Sequence, residues 1–250
     1  MISFFRAVSA ETLKLKRTLA LWMTLISPAV VVGLQVLMIL NRTSLYEKQP
    51  EFWTSLARSI AGFWAVLMLP LFVTLETALV ANLEHSERHW KHLLALPVRR
   101  WNYYFGKFAV VIGLVALSSL ILFLLTIGGG LLLSVLAPKL TLQSPIPWQF
   151  LLKLHGAMFA AAVLMISIHH WVSLRWHSFT TAIGFGITAV VIGFILVNSK
   201  TYGLYYPWSI PARVTNSTPE LVTMMLIFSG VSAVAALGAG CWEFSRREFE

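Results

Sequence analysis

The chain has 250 residues, of which 58% are apolar and 12% charged, and a formal net charge of +9. A soluble domain carries roughly a quarter charged residues, so this composition, with a mean hydropathy of +0.76, excludes a soluble enzyme and defines an integral membrane protein. The basic excess is then charge that sets membrane topology, not a nucleic-acid footprint.

In chain order, residues 3 to 18 predict an amphipathic helix lying in the inner leaflet. Phe4, Phe5, Val8, Leu15 and Leu19 fall within a third of the helical wheel, with Arg6, Lys14 and Arg17 opposite. Lys14, Lys16 and Arg17 either anchor this helix at the interface or simply orient the first span. Apolar windows of the ~20 residues that a bilayer core requires follow at Leu19 to Leu40, Ile60 to Leu83, Phe108 to Ala137, Phe150 to Leu174, Phe179 to Val197 and Leu221 to Trp242. The first is longer than a signal-peptide core and has no small-residue cleavage pattern behind it, so it is expected to remain as a span. Six spans put both termini on one side. With that side cytoplasmic, the inner segments hold Arg6, Lys14, Lys16, Arg17, Arg88, Lys91, Arg99, Arg100, Lys107, Arg175, Arg246 and Arg247, the majority of the 19 basic residues.

Between the second and third windows stands EHSERHWKHLLALPVRRWNYYFGK, Glu84 through Lys107. On a helix over residues 84–96, Glu84, Glu87, Arg88 and Lys91 share one face in the favourable acid-first i,i+4 order. Trp90, Leu93 and Leu94 form the opposite face, Pro97 closes the helix, and Arg99, Arg100 and Lys107 mark a return to the membrane surface.

Ionisable residues inside spans are costly and are functional candidates. Glu76 is the deepest, and it is expected to pair with His169 or His170 in a buried polar contact; its alternative use is as the carboxyl of a proton-coupled carrier. His85, His89 and His92, at i, i+4 and i+7, together with His169-His170, make the case for a histidine-dependent membrane metalloenzyme. The absence of Asp from the whole chain weighs against that reading. Lys153 and His155 read as snorkelling or loop residues, and Gly128-Gly129-Gly130 as a break or a close contact in the long third span. In the loop 198–219, Tyr202, Tyr205, Tyr206 and Trp208 suit a membrane interface, and Pro207 and Pro211 interrupt a continuous helix. The single cysteine, Cys241, is a packing residue that leaves no intrachain disulfide. No phosphate-cradling G-x-x-x-x-G-K-[ST] loop occurs, since Trp101 stands where Gly106-Lys107 would need the first glycine.

The run from Trp90 to Arg100, with Glu84 and Glu87 upstream and Gly106-Lys107 downstream, resembles the cytoplasmic segment between spans 2 and 3 of ABC-2 type transporter permeases. Its Trp-Lys start before LLALPV is most similar to the branch containing lantibiotic-immunity and bacitracin-resistance permeases. The segment Tyr205-Tyr206-Pro207-Trp208 through Pro211 resembles the aromatic Pro-Trp stretch of that branch. The resemblance covers essentially the whole chain; it departs at Arg88-His89, where many members have Gly-Thr, and at Arg99, where they have Ser. It implies an all-α, six-span fold of the ABC-2 or type V exporter kind in a single domain: an interfacial helix at 1–18, a coupling helix at 84–96 seated in an ATPase cleft, and an outer gate loop at 198–219. Glu84, Glu87, Arg88, Trp90, Lys91, Leu93, Leu94 and Pro97 would form the coupling element, and Tyr205, Tyr206, Pro207 and Trp208 the gate. The chain itself would carry no cofactor and no catalytic residue, with ATP and Mg held by a separate ATP-binding subunit. A second permease, identical or not, would complete an exporter in the cytoplasmic (inner) membrane.

Overall fold

The computed structural model describes residues 2–16, 18–46, 51–85, 99–138, 140 and 145–247. Within them the fold is helical throughout: α1 (Ile2–Lys14), α2 (Leu19–Asn41), α3 (Phe52–Phe63), α4 (Leu69–His85), α5 (Arg100–Leu136), α6 (Trp148–Arg175), α7 (Phe179–Leu196), α8 (Ile210–Arg213) and α9 (Pro219–Arg246). Six stretches are long and apolar enough to cross a bilayer, and all six expected windows coincide with them.

The second span starts earlier than its apolar window, at Phe52 rather than Ile60, because α3 and α4 run on as one rod through a π-helical turn at Trp64–Met68. Pro70 explains the turn. Proline has no N–H to give the preceding turn and its ring crowds it, and the wider register, in which the Leu69 N–H reaches the Trp64 carbonyl, absorbs the defect without a break. The third span starts at Arg100, so the aromatic and basic residues Trp101 to Lys107 are helical. It does not break at its glycine run. A Cβ at Gly129 would meet Val32 and Val36 at 3.0 and 3.2 Å, and one at Gly130 would lie 2.2 Å from the Trp53 ring. The run therefore lets α2 and α3 approach α5 closely, as small residues do between helices in lipid.

The same device joins α6 to α9. Ser229, Ala233 and Gly240 are buried on one side of α9, the Ser229 hydroxyl donates to the Ala161 carbonyl at 2.9 Å, and Gly240 leaves room for Tyr104 and Trp171. The other side of α9 exposes Ile227, Val231, Val234 and Trp242, and α2 exposes Leu25, Leu34, Leu37 and Met38. Such wide apolar surfaces mark a membrane or protein partner.

Candidate functional site

At the end of the bundle that carries α1, three charged side chains are buried. Glu11 of α1, Glu84 at the end of α4 and Lys107 of α5 are 3%, 1% and 1% exposed. Lys107 Nζ donates to Glu11 Oε2 at 2.7 Å and to Glu84 Oε2, and it lies 3.3 Å from the Val80 carbonyl. Lys14 Nζ donates to Glu11 Oε1 and Glu84 Oε1, both at 2.7 Å. Two carboxylates and two ammonium groups thus alternate in a ring, each carboxylate oxygen facing one cation. Buried charges are tolerated only when paired and hydrogen-bonded in this way. Burial by itself would raise the Glu11 carboxyl pKa, but Lys107 and Lys14 outweigh it and hold that pKa below the usual value. Burial likewise opposes the charge on Lys14, and its bonds to Glu11 and Glu84 overcome that and raise its pKa.

The ring corrects three sequence expectations. Glu84 does not sit on an outward face; it points into the bundle because Lys107, across the α4–α5 pair, offers it a desolvated partner. Lys107 is not a surface marker, and Lys14 is no simple interfacial anchor. Glu11, to which the sequence reading gave no role, closes the ring; the signal for it was its place as the one acid in a basic amphipathic helix, three residues before Lys14. Lys16 is exposed, and Arg17 lies outside the described residues. So do Glu87, Arg88, Trp90, Lys91, Leu93, Leu94 and Pro97, with His89 and His92. The chain enters that segment directly after His85, two residues past Glu84, and leaves it at Arg99, which is exposed.

A second set of contacts braces the same end. Arg100 Nη1 donates to the carbonyls of Ser245 and Arg247 at 3.1 and 2.7 Å, closing the C-terminus of α9 as cations do at helix ends. Glu243 accepts from Trp171 and pairs with Arg175, and Arg247 reaches the carbonyl of Leu174 at 3.2 Å and His177 Nδ1 at 3.2 Å. Burial, followed by Arg247 and Arg175, holds the His177 imidazole pKa below its usual value.

The expected pairing of Glu76 with a histidine is not formed. Glu76 is 0% exposed, and neither carboxylate oxygen has a hydrogen-bond partner among the described residues. The two histidines, adjacent on α6, face different ways. His170 Nε2 lies 3.2 Å from the Tyr104 carbonyl, against α5; His169 stacks on Phe185 at 5.8 Å and meets Trp208 edge-on at 6.4 Å. A helix separates successive side chains by ~100°, so one carboxyl cannot serve both. His155, read as a loop residue, is instead buried inside α6 with Nδ1 2.9 Å from the Leu151 carbonyl. No three His, Cys or acidic side chains converge on a metal position among the described residues; His85 lies 3.1 Å from the Ser173 carbonyl and rests on His177.

At the opposite end, Tyr206 donates its hydroxyl to the Ala189 carbonyl at 3.0 Å, and burial raises its pKa. Trp208 is buried between Tyr206 and Phe185, whereas Tyr205 is half exposed and packs on Phe228. Pro207 lies in the turn between Tyr206 and Trp208. Pro211 stands at the start of α8, where its missing N–H costs nothing, so it begins a helix instead of interrupting one.

Six helical spans around a buried ion ring at one end, with an aromatic loop folded back at the other, define a multi-pass membrane protein. A family model described as ABC-2 family transporter protein matches residues 7–196, from α1 to the end of α7. The chain belongs to that family and is a permease subunit of an ABC transporter, a transport subunit rather than an enzyme in its own right. No curated protein matches it.

Proposed function

We propose that this permease exports an amphipathic or membrane-associated compound, an antimicrobial peptide or a cell-wall-directed antibiotic, as in the lantibiotic-immunity and bacitracin-resistance branch. It works in the cytoplasmic membrane with both termini inside, paired with a second permease and driven by ATP that a separate subunit hydrolyses with Mg. The observation that supports the coupling part of this reading is the ring of Glu11, Lys14, Glu84 and Lys107; the substrate class rests on the family resemblance alone. It joins α1, α4 and α5 at the root of residues 86–98, so a push on that segment reaches the second and third spans and the interfacial helix together. Glu87, Arg88, Trp90, Lys91, Leu93, Leu94 and Pro97 are the residues an ATP-binding subunit would grip, with Trp90 as the aromatic anchor on which such interfaces concentrate their energy. Tyr205, Tyr206, Pro207 and Trp208 form the gate at the far end, Trp208 the wedge between α7 and the loop.

The test is co-purification of the permease with its ATP-binding subunit. Glu87→Lys combined with Trp90→Ala should release the ATPase while the permease keeps its thermal stability in detergent. Cells carrying the pair should lose their tolerance of a cationic antimicrobial peptide. Retention of the ATPase with stimulated turnover in that variant overturns the coupling assignment; unchanged peptide tolerance on deleting the permease overturns the substrate class.

A further inference from the structure

At the end of the bundle away from α1, the first turns of α6 and α9 line an open cavity of about 650 Å³. Its lining is layered. Arg58 of α3 and Lys153 of α6 line one part of it with Phe150, Thr215 and Ser217, while further along α6 and α9 the lining is Ala157, Ala160, Val222 and Leu226 with one hydroxyl, Thr223. From Lys153 to Ala160 the helix rises about 10 Å, so a polar collar passes into an apolar trough within the length of a few methylene groups.

The charge at the collar is one-sided. The lining contains two cations and no carboxylate among the described residues, and neither Arg58 nor Lys153 is in an ion pair with a described residue. Glu220 lies outside the lining, in an adjoining groove that shares Thr223 with the cavity, and Glu51 is held by the Thr54 hydroxyl at 3.1 Å. Arg58 is already fixed in place: Nη1 donates to the Thr215 carbonyl at 3.3 Å and to Asn216 Oδ1 at 3.2 Å, and the guanidinium lies 5.4 Å from the centroid of the Phe150 ring. A guanidinium held with part of its donor fork still unused suits a phosphate, and holding it in advance lowers the ordering cost of binding. Small side chains keep the trough open. A Cβ at Gly156 would meet nothing within 4 Å.

We propose that this cavity binds a phospholipid of net negative charge from the leaflet on the side away from α1, the phosphate between Arg58 and Lys153 and the first part of a chain along Ala157, Ala160, Val222 and Leu226. The arrangement fits an anionic amphiphile as a whole. A soluble phosphate would leave the trough unused, and a zwitterionic lipid would bring its own ammonium to a collar that already holds two cations. The site is independent of the transported compound, and its test reads lipid retention, not transport.

The full chain, purified in mild detergent, is to be mixed with equimolar phosphatidylglycerol and phosphatidylcholine of identical acyl chains, and retained lipid counted by native mass spectrometry. Phosphatidylglycerol should be retained preferentially. Lys153→Gln, a change at an exposed position, should lower that preference about fivefold, the factor that goes with one basic residue at a membrane surface. Gly156→Leu fills the trough and should reduce retention of both lipids while the protein keeps its unfolding midpoint. Excess inorganic phosphate should displace neither. Equal retention of the two lipids, a preference unchanged by Lys153→Gln, or displacement by inorganic phosphate would each overturn the proposal.

Discussion

Replacing Lys107 by Met removes one cation from a ring in which two carboxylates face two ammonium groups. Glu11 and Glu84 then share Lys14 alone, and one buried negative charge is uncompensated at residues 3% and 1% exposed. Removing one member of a buried ion pair costs about 3–5 kcal/mol, and Glu84→Gln should cost less, since Lys107 keeps Glu11 and the surplus positive charge falls to Lys14, whose side chain is 33% exposed. The double variant Lys107→Met/Glu84→Gln removes a charge of each sign and leaves Glu11 with Lys14, a pair that still satisfies itself. Its cost should fall well short of the sum, with a coupling energy of about 2 kcal/mol or more. Equilibrium unfolding of the four proteins in mixed micelles measures the cycle. Additivity within about 0.5 kcal/mol, or single costs under about 1 kcal/mol as for exposed pairs, would refute the buried ring.

The ring also predicts a pH profile for protease protection of α1. Glu11 has its folded pKa below the ordinary 4.5, so its contribution is present above 4.5 and lost as pH falls below that; Lys14 has its folded pKa above 10.5, so its contribution is present below 10.5 and lost as pH rises beyond it. Protection should therefore be flat between those limits and fall outside them, and a profile that bends near neutrality contradicts the assignment. Glu76→Leu, which removes a buried carboxyl without stranding a partner, should stabilise the protein by about 1–3 kcal/mol in the same unfolding assay, whereas a loss would reveal a partner. Gly130→Ala, which drives a Cβ to 2.2 Å from the Trp53 ring, should cost about 1–3 kcal/mol by overpacking, while Gly128→Ala, with open space around it, should be neutral or stabilising. A reporter fused after Glu250 should be active only in the cytoplasm, and activity outside would invert the proposed orientation.

The spans were legible in the sequence because the bilayer imposes a length. An apolar run of about 20 residues has few other uses, and all six windows fall on observed helices. Their ends were less legible. The second span begins early because α3 pairs an apolar face, Phe52, Trp53, Leu56 and Ile60, with a polar one, so average hydropathy hides it. The third begins at Arg100 because the carbonyls at the end of α9 accept from that side chain, a contact between residues some 145 positions apart.

The charges were harder still, and for one reason. Local patterning assigns a charged residue to the solvent side of its own helix, and that rule placed Glu84 with Arg88 and Lys14 with the lipid interface. In a bundle a second rule competes: opposite charges on different helices that meet at one depth can stay buried if every oxygen and ammonium is matched. Glu11, Lys14, Glu84 and Lys107 satisfy that condition. Glu76 does not, since the nearby histidines turn toward α5 and toward Phe185 and Trp208. The distinction has a mechanical consequence. Matched charges fix α1, α4 and α5 to one another at the end of the bundle that carries α1, while an unmatched carboxyl within the same second span fixes nothing. In the coupling proposed above, force applied to residues 86–98 would enter the membrane through the ring, and Glu76 lies on the rod that force would move.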